Sequence, residues 1–392
     1  MASAWRSLPC KISELRLDIT LACGQSFRWK EIQPGIWRSV LAGKVWTLKQ
    51  TDDEILYQVH PSDAKEPDNS VRIKQEFPQP KKRSKQKQPP KKETGNVEDD
   101  AKGVQFIKEE KTDATSTIGD DYSTILKDYF QLNVNLEKLY KKWRAADSNF
   151  NTKVAPNFPG VRVLRQDPTE NVFSFICSSN NNIIRITGMV EKLCSFYGKE
   201  LAVLDGTTWF SFPTAEALAK DGVEQVLRDK GFGYRAKFIS QTAKFIEKQP
   251  KGWLKSLRGL GYEEVHAELV KLPGVGAKVA DCVCLMSMDK PNAIPVDTHV
   301  WQIACRDYIP TLHKTKSLTD KVYREVGDFF RALFGEYAGW AHSVLFSADL
   351  KKFQPKTEKL ASSPNKKQNR KRESGDAEVV KQQSKGGKKT KK

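Results

Sequence analysis

Two residues with complementary chemistry, Lys278 and Asp297, each follow a turn rich in proline or glycine. Lys278 lies in KLPGVGAKVADC (271–282), and Asp297 follows nineteen residues later in IPVDTHVW (294–301). A lysine amine can attack an electron-poor carbon, and a fixed carboxylate can stabilise the positive charge that develops there. Taken singly, the lysine is more typical of a solvated side chain and the aspartate of a helix N-cap.

The helical pattern after the Pro–Gly turn indicates where Lys278 lies. Apolar residues recur there with the i, i+3, i+4, i+7 spacing of a buried helix face, namely Val279, Cys282, Val283 and Met286. Lys278 is at the edge of this stripe. Partial burial would free its amine as a nucleophile, whereas Asp281, three residues on, would favour the charged form. The sequence leaves that balance open.

The turn LPGVG contains two glycines, Gly274 and Gly276, which can adopt backbone angles closed to other residues and also let another backbone come close. A helix that begins at Gly276 points unpaired N–H groups outward, which makes a phosphate site without any side chain. For LPGVG alone, an ordinary helical turn is the favoured interpretation.

The charge distribution suggests a polyanionic partner only weakly. The chain has 392 residues and a formal net charge of +18. Residues 351–392 contribute 15 Lys and Arg against 4 Asp and Glu, so most of the excess lies in this tail. The basic stretches KKRSKQKQPPKK and NKKQNRKR fit nuclear-import signals and, equally, solvated charge runs. We expect a nuclear protein, with a mitochondrial form left open.

Seven cysteines with no CxxC pair and no compact four-cysteine run indicate reduced thiols rather than a zinc or iron–sulfur site. No run of about 18 apolar residues is present, so we expect no membrane contact.

Four regions follow one another along the chain. Residues 1–60 alternate apolar and polar positions, which predicts an antiparallel β domain. Residues 61–118 are rich in Pro, Lys and Glu and predict a disordered insertion. Residues 119–350 have helical periodicity and repeated cap signals, and residues 351–392 predict a disordered basic tail. The expected fold class is α+β, a small antiparallel sheet domain followed by an all-α domain.

The two opening motifs together closely resemble those of the helix-hairpin-helix DNA glycosylases, and within them the eukaryotic 8-oxoguanine DNA glycosylases with AP-lyase activity. The resemblance covers residues 1–60 and about 119–350 in order, through the strings GQSFRW, RQDP, FSFICSSNNN, GFGYRAKF, RDY and YAGWAHSVLFSADL. It implies an enzyme that flips a damaged base out of the duplex.

The resemblance assigns roles to the opening pair. Lys278 corresponds to the lysine that attacks C1′ of the deoxyribose, forms a Schiff base and allows β-elimination at the abasic site. Asp297 corresponds to the aspartate that stabilises positive charge on the sugar and orients the nucleophile.

The resemblance also implies residues for the base and the DNA. A glycine carbonyl at Gly24 would accept from N7–H of oxidised guanine, and Cys282 and Phe346 would sandwich the base. The unpaired cytosine would meet Asn180, Arg185 and Arg235, with Tyr234 as a wedge. Gly274 and Gly276 of the hairpin, and His299, would contact phosphates, with Asp349 orienting His299.

One position departs from the family pattern. A glutamine is expected after YAGWA, where it reads the Watson–Crick edge of the base, and this chain has His342. Imidazole lacks the paired donor and acceptor of an amide. We expect recognition to survive through Gly24, with an altered pH dependence or a wider base range.

Three functions remain open at this point. The first is a glycosylase and lyase for 8-oxoguanine, and for formamidopyrimidine, paired with cytosine. The second is a glycosylase of the same fold for another damaged base, and the third a non-catalytic DNA- or chromatin-binding protein. Lys278 and Asp297 both being present speaks against the third. The expected partner is double-stranded DNA containing oxidised guanine, bound by a monomer without cofactor or catalytic metal, with a downstream abasic-site endonuclease.

Overall fold

A computed structural model of the protein describes residues 4–61 and 122–354. The predicted disordered insertion and basic tail, with their basic stretches, lie outside the described residues except for Pro61 and residues 351–354. Phe353, in this last stretch, packs partly buried against the helical core.

The first part of the chain forms the predicted antiparallel sheet. Its strands are β1 (Arg6–Pro9), β2 (Lys30–Gln33), β3 (Ile36–Leu41), β4 (Lys44–Gln50) and β5 (Glu54–His60). They pair in the order β1-β5-β4-β3-β2, with a short helix, α1 (Leu17–Thr20), between β1 and β2. Ala42 and Gly43 both have positive φ (48° and 71°), so the β3–β4 loop is the two-residue turn whose twist suits a hairpin.

Helices dominate residues 122–354. They are α2 (Tyr122–Tyr129), α3 (Leu136–Ala146), α4 (Pro168–Ile176), α5 (Ile183–Tyr197), α6 (Ala215–Ala219), α7 (Val223–Leu227), α8 (Arg235–Glu247), α9 (Trp253–Ser256), α10 (Tyr262–Leu269), α11 (Ala277–Ser287), α12 (Thr298–Ile303), α13 (Asp320–Phe334) and α14 (Ala338–Asp349). No helix in the described part of the chain has the length and apolarity to cross a bilayer.

Side-chain caps begin several helices, as the sequence predicts. Asp167 accepts from the N–H groups of Thr169 and Glu170 at the start of α4, and Asn182 accepts from Arg185 N–H at the start of α5. Each bond satisfies a first-turn donor that has no partner within its helix. The caps therefore fix where the helices around the site begin.

The sheet and the helices share an apolar boundary. One core joins β-strand residues to α2, and the ring of Trp46 on β4 contacts Tyr122 at a centroid distance of 5.7 Å. The Trp29 indole donates to the Tyr129 hydroxyl at 2.9 Å. The helical core is separate and larger, and it surrounds α11.

A second, two-stranded sheet lies within the region that the sequence predicts as helical. Its strands, β6 (Glu200–Leu204) and β7 (Thr207–Phe210), are joined by a turn at Asp205 and Gly206, both with positive φ. Asp205 pairs with Arg38 of β3 at 2.7 Å, which ties this hairpin to the first sheet.

Candidate active site

The helical hairpin consists of α10, the turn at 270–276 and α11. Gly274 has φ +82°, and a Cβ there would lie 2.6 Å from Phe238 side-chain atoms, so the turn requires glycine for two reasons. Gly276 has φ −95°, which every residue adopts, so of the two glycines only Gly274 uses a backbone angle closed to other residues. A Cβ on Gly276 would meet open space, and α11 starts without a side-chain cap. The first N–H groups of α11 are thus left without a side-chain partner.

Lys278 lies half-buried in the first turn of α11. Its Nζ is 5.3 Å from the centre of the Phe175 ring, a cation–π distance. The sequence predicts that Asp281 favours the charged form of Lys278, but the two side chains do not form a hydrogen bond or ion pair. The Asp281 carboxylate is buried and instead accepts from the hydroxyls of Tyr262, at 2.7 Å, and Tyr323.

Asp297 is the N-cap of α12, as its place after Pro295 predicts. Its Oδ1 accepts from the Val300 N–H at 2.9 Å, which fixes the carboxylate against the pocket described next. A cap and a catalytic carboxylate are compatible, because the capping bond uses one of two oxygens.

One pocket brings together six residues that the sequence places far apart. A cavity of about 60 Å³ is lined by Cys23, Gly24, Gln25, Phe175, Lys278, Cys282, Met286, Pro295, Asp297, Val300, His342, Ser343 and Phe346. Of the predicted catalytic and base-binding residues, Lys278, Asp297, Gly24, Cys282, His342 and Phe346 all appear in this lining. The lining is mostly apolar with a few polar groups, as is typical of a small-molecule pocket.

Gly24 is held at the pocket by its neighbour Gln25. The Gln25 side chain donates to the Arg162 carbonyl at 2.7 Å and accepts from the Leu164 N–H at 3.0 Å. Gly24 has φ +88°, and a Cβ there would lie 3.1 Å from Ile183. The left-handed angle favours glycine at this position.

His342 and Cys282 are both neutral at pH 7. Burial lowers the pKa of His342 to about 4, although nearby Asp297 opposes this. The ring is 6 % exposed, and neither nitrogen has a hydrogen-bond partner among the described residues. The backbone of Gly339 lies close enough to raise the pKa of His342 slightly, and its carbonyl accepts from the Ser343 hydroxyl at 2.8 Å. Burial raises the pKa of Cys282 to about 11, with Lys278 opposing. The pocket wall thus offers an unused donor and acceptor on one imidazole.

A second group of predicted residues lies along the loop between α4 and α5. Arg235, which is buried, donates through Nη2 to the carbonyls of Ser179 and Asn180, the latter at 3.1 Å. Tyr234 is 49 % exposed, donates to the Ser179 carbonyl at 3.1 Å and stacks with the Arg235 guanidinium at 4.5 Å. Asn180 is exposed in a left-handed conformation, φ +47°. Arg185 is exposed in the first turn of α5.

His299 is exposed on α12 and meets the edge of the Phe346 ring at 6.1 Å. The expectation that Asp349 orients His299 finds no support, because the Asp349 carboxylate pairs with Arg306 at 2.8 Å. His299 therefore lies beside the pocket through its contact with Phe346.

Family models match two adjacent parts of the chain. Residues 7–172 match the 8-oxoguanine DNA glycosylase N-terminal domain, and residues 173–328 match the HhH-GPD superfamily of base excision DNA repair proteins. An N-glycosylase/DNA lyase of Arabidopsis thaliana is 35 % identical over 351 residues, covering 88 % of this chain and 80 % of the relative.

The chain belongs to the 8-oxoguanine DNA glycosylase family. It is accordingly a DNA N-glycosylase of base excision repair with associated DNA lyase activity.

Other relatives agree with this membership. An N-glycosylase/DNA lyase of Saccharomyces cerevisiae is 41 % identical over 256 residues, covering 59 % of this chain and 67 % of the relative. The crystal structure of the Clostridium acetobutylicum 8-oxoguanine glycosylase/lyase in its apo form superposes with a TM-score of 0.64 at 24 % identity, covering 89 % of this chain and 99 % of the other. The last comparison shows the fold.

Within this glycosylase, α8 connects the exposed aromatic to the hairpin. Tyr234 contacts the ring of Phe238 at 6.0 Å, and Phe238 packs on Gly274. On the same helix, Thr242 donates to the Pro273 carbonyl at 2.7 Å. The loop of Tyr234 and the hairpin turn are thus positioned by one rigid element.

Sequence reasoning missed several residues that shape the glycosylase pocket. Phe175 lies under Lys278, and Gln25 holds Gly24 in place. Phe175 belongs to the motif FSFICSSNNN and Gln25 to the motif GQSFRW. The motifs carry the family resemblance, but they do not predict which residues these two side chains contact.

Proposed function

We propose that this glycosylase removes 8-oxoguanine, and formamidopyrimidine, from duplex DNA in which the damaged base is paired with cytosine. Support comes from one pocket whose lining contains Lys278 and Asp297 together with Gly24, Cys282, His342 and Phe346. A related structure is the Clostridium acetobutylicum enzyme in complex with double-stranded DNA containing cytosine opposite 8-oxoguanine.

Lys278 supplies the nucleophile in this proposal. Its amine forms a bond to C1′ as the bond from C1′ to the base breaks, and the base leaves with the electron pair and takes up a proton. Opening of the sugar ring then gives a Schiff base between Lys278 and C1′. Loss of a C2′ proton expels the 3′ phosphate, which cuts the strand by β-elimination. A lysine nucleophile thereby links base removal to strand cleavage.

Asp297 stabilises the positive charge that develops on the sugar. Its carboxylate is held by the Val300 N–H and does not need to reorganise during the reaction. Lys278 lines the same pocket and attacks as the neutral amine, and the proton that its nitrogen gives up is balanced by the one that the departing base takes up. The buried, neutral Cys282 thiol beside it adds no competing negative charge.

The base is read at three places. The Gly24 carbonyl accepts from the N7–H that oxidation creates, which normal guanine lacks. Cys282 and Phe346 pack against the faces of the base, and His342 presents one donor or one acceptor to its edge. One observation favours a second candidate, a glycosylase for another damaged base. The ring nitrogens of His342 have no hydrogen-bond partner among the described residues, at the position where the family pattern has an amide.

Recognition of the unpaired cytosine falls to the loop between α4 and α5. Arg235 holds this loop by its carbonyls, and its Nε is a buried donor without a partner among the described residues. Guanidinium and amide donors from Arg235, Arg185 and Asn180 suit the acceptors of cytosine. Tyr234 is exposed and serves as the wedge that fills the vacated stack. Phosphates are bound at the hairpin, at Gly274, Gly276 and the first N–H groups of α11, and by His299.

The test of base choice compares excision from duplexes that differ in one base. Single-turnover rates are measured for 8-oxoguanine and formamidopyrimidine, each opposite cytosine and opposite adenine, with the intact protein and His342→Gln. The proposal expects fast excision of both lesions only opposite cytosine. Equal rates opposite adenine, or no excision of either lesion, would favour a glycosylase for another substrate.

Nuclear location, with a mitochondrial form, is part of the same proposal and rests on the basic stretches at 81–92 and 365–372. Deleting both from a fluorescent fusion should redistribute it to the cytoplasm, and an unchanged distribution would contradict this. We further propose a monomer that hands its cleaved product to an abasic-site endonuclease. Sedimentation of the intact protein and turnover with added endonuclease check these two points.

A further inference from the structure

The hydroxyl of Tyr323, on α13, touches both elements that carry the proposed catalytic pair. It donates to the Asp281 carboxylate, which lies on α11 three residues after Lys278. It is also 3.4 Å from the Ile294 carbonyl and interacts with the Val296 N–H. These two residues directly precede Asp297 along the chain. One hydroxyl therefore bridges the hairpin helix and the aspartate loop.

Asp281 is the buried centre of this arrangement. Its side chain is 1 % exposed, and its two oxygens accept from different tyrosines, Tyr262 on α10 and Tyr323 on α13. The Nε2 atom of His266 is 4.0 Å from the carboxylate. A buried carboxylate persists when its oxygens have donors, because leaving them unpaired costs the full penalty of desolvation. The carboxylate thus joins three helices at one point.

We propose that Tyr323 and Asp281 are positioning residues that set the distance between the Lys278 amine and the Asp297 carboxylate. The inference rests on the proposed function of that pair. Neither Tyr323 nor Asp281 lines the pocket, so they act through the backbone of α11 and of the loop before α12. A rotation of α11 about its axis moves the end of a long lysine side chain furthest. A misplacement of about 1 Å between reacting groups costs on the order of a hundredfold in rate.

The competing explanation is that the Tyr323–Asp281 bond only stabilises the fold. The chain offers a control of the same chemistry, since the hydroxyl of Tyr308 donates to Asp147 at 2.8 Å in a partly buried tyrosine–aspartate pair. Tyr308 lies beyond α12, and its partners Asp147 and Asn149 belong to neither the hairpin nor the aspartate loop. Removing either hydroxyl deletes one charged hydrogen bond of the same kind.

The experiment compares Tyr323→Phe with Tyr308→Phe and with Lys278→Gln in the full chain. Thermal unfolding gives Tm, single-turnover excision of 8-oxoguanine gives the chemical rate, and binding to an uncleavable abasic-site duplex gives Kd. Borohydride trapping reports formation of the Schiff base. All rates are measured well below the lowest Tm.

We expect both tyrosine variants to keep similar Kd, and Tyr308→Phe to lose no more stability than Tyr323→Phe, because Asp147 is partly exposed and keeps the N–H donors of Asn149 and Phe150. Only Tyr323→Phe should lower excision and trapping together, by roughly tenfold to a hundredfold. Asp281→Asn should do the same, and its effect should not add to that of Tyr323→Phe, since the two act through one bond. If Asp281→Asn fails to fold, the comparison of excision rates between Tyr323→Phe and Tyr308→Phe tests the positioning role by itself.

Equal excision rates for Tyr323→Phe and Tyr308→Phe would overturn the positioning role and leave the proposed function intact. Full excision and trapping by Lys278→Gln would instead overturn the proposed function, whatever the tyrosine variants do. The two failures are therefore distinguishable.

Discussion

The Nζ atom of Lys278 lies 5.3 Å from the centre of the Phe175 ring, at the wall of the pocket that also contains Asp297. Lys278 begins α11 and Phe175 is near the end of α4, and these two helices pack closely. The ring face attracts the ammonium and restricts where the side chain can go. The proposed nucleophile is thus aimed by a neighbour that has no reactive group of its own.

Replacing Phe175 by leucine should remove this attraction. A cation–π contact of about 1–2 kcal/mol corresponds to a loss of roughly fivefold to thirtyfold in the single-turnover excision rate. Phe173→Leu is the control, because Phe173 is buried on the same helix and stacks on Phe212 rather than on Lys278. An equal loss of rate in both variants would trace the effect to core packing.

The two hairpin glycines should respond differently to alanine. At Gly274 a methyl group clashes with Phe238 and the left-handed angle is strained, so Gly274→Ala should lower the free energy of unfolding by about 2 kcal/mol or more. At Gly276 the methyl meets open space and stability should change by less than about 1 kcal/mol. DNA affinity should still fall roughly tenfold for Gly276→Ala, because the added methyl group occupies the space through which a phosphate approaches and weakens about one hydrogen bond to it. Denaturant unfolding and duplex binding distinguish these results, and unchanged affinity of Gly276→Ala would contradict phosphate binding there.

Arg235→Lys should relax the requirement for cytosine. A lysine keeps the charge but loses the planar fork that reaches the Ser179 and Asn180 carbonyls. Discrimination between cytosine and adenine opposite the lesion should drop by on the order of tenfold, in line with about 1–3 kcal/mol for a good base contact. Arg228→Lys, at an exposed position paired with Glu224, should keep the full preference. Excision rates from the two duplexes provide the measurement.

His342 should make the free energy of unfolding depend on pH. It should not make the excision activity depend on pH near neutrality. Its pKa is lowered from 6.5 to about 4 in the folded protein, so between these values the unfolded chain binds more protons. The free energy of unfolding should therefore fall as the pH drops from 6.5 towards 4, by up to about 3 kcal/mol from this residue. His342→Gln should remove that part of the slope, and His313→Gln, at an exposed position, should not.

Between pH 6.5 and 8 the imidazole stays neutral, so His342→Gln should not shift the pH profile of excision in this range. A change in the profile there would mean that the ring titrates near neutrality. The sequence left two effects of His342 open, an altered pH dependence and a wider base range. The low pKa of the buried imidazole favours the wider base range.

How much the sequence could predict depended on how local each feature is. The alternation of apolar residues predicted the strands, and the Asp167 and Asp297 caps follow from side chains within one turn of the groups they bind. The Phe175 contact and the Tyr323–Asp281 bond join helices distant in sequence, and no spacing encodes them. Gly276 shows a second limit. A glycine can adopt unusual backbone angles, but Gly276 has an ordinary angle, and what distinguishes it is the open space where a Cβ would lie.

Borohydride trapping on a duplex with 8-oxoguanine opposite cytosine tests the role of Lys278 most directly. Sodium borohydride reduces a Schiff base to a stable amine, so the intact protein should become covalently attached to DNA while Lys278→Gln should not. Peptide mapping of the adduct should place the bond on Lys278. An adduct of equal yield with Lys278→Gln, or base release by the intact protein without any adduct, would contradict the account.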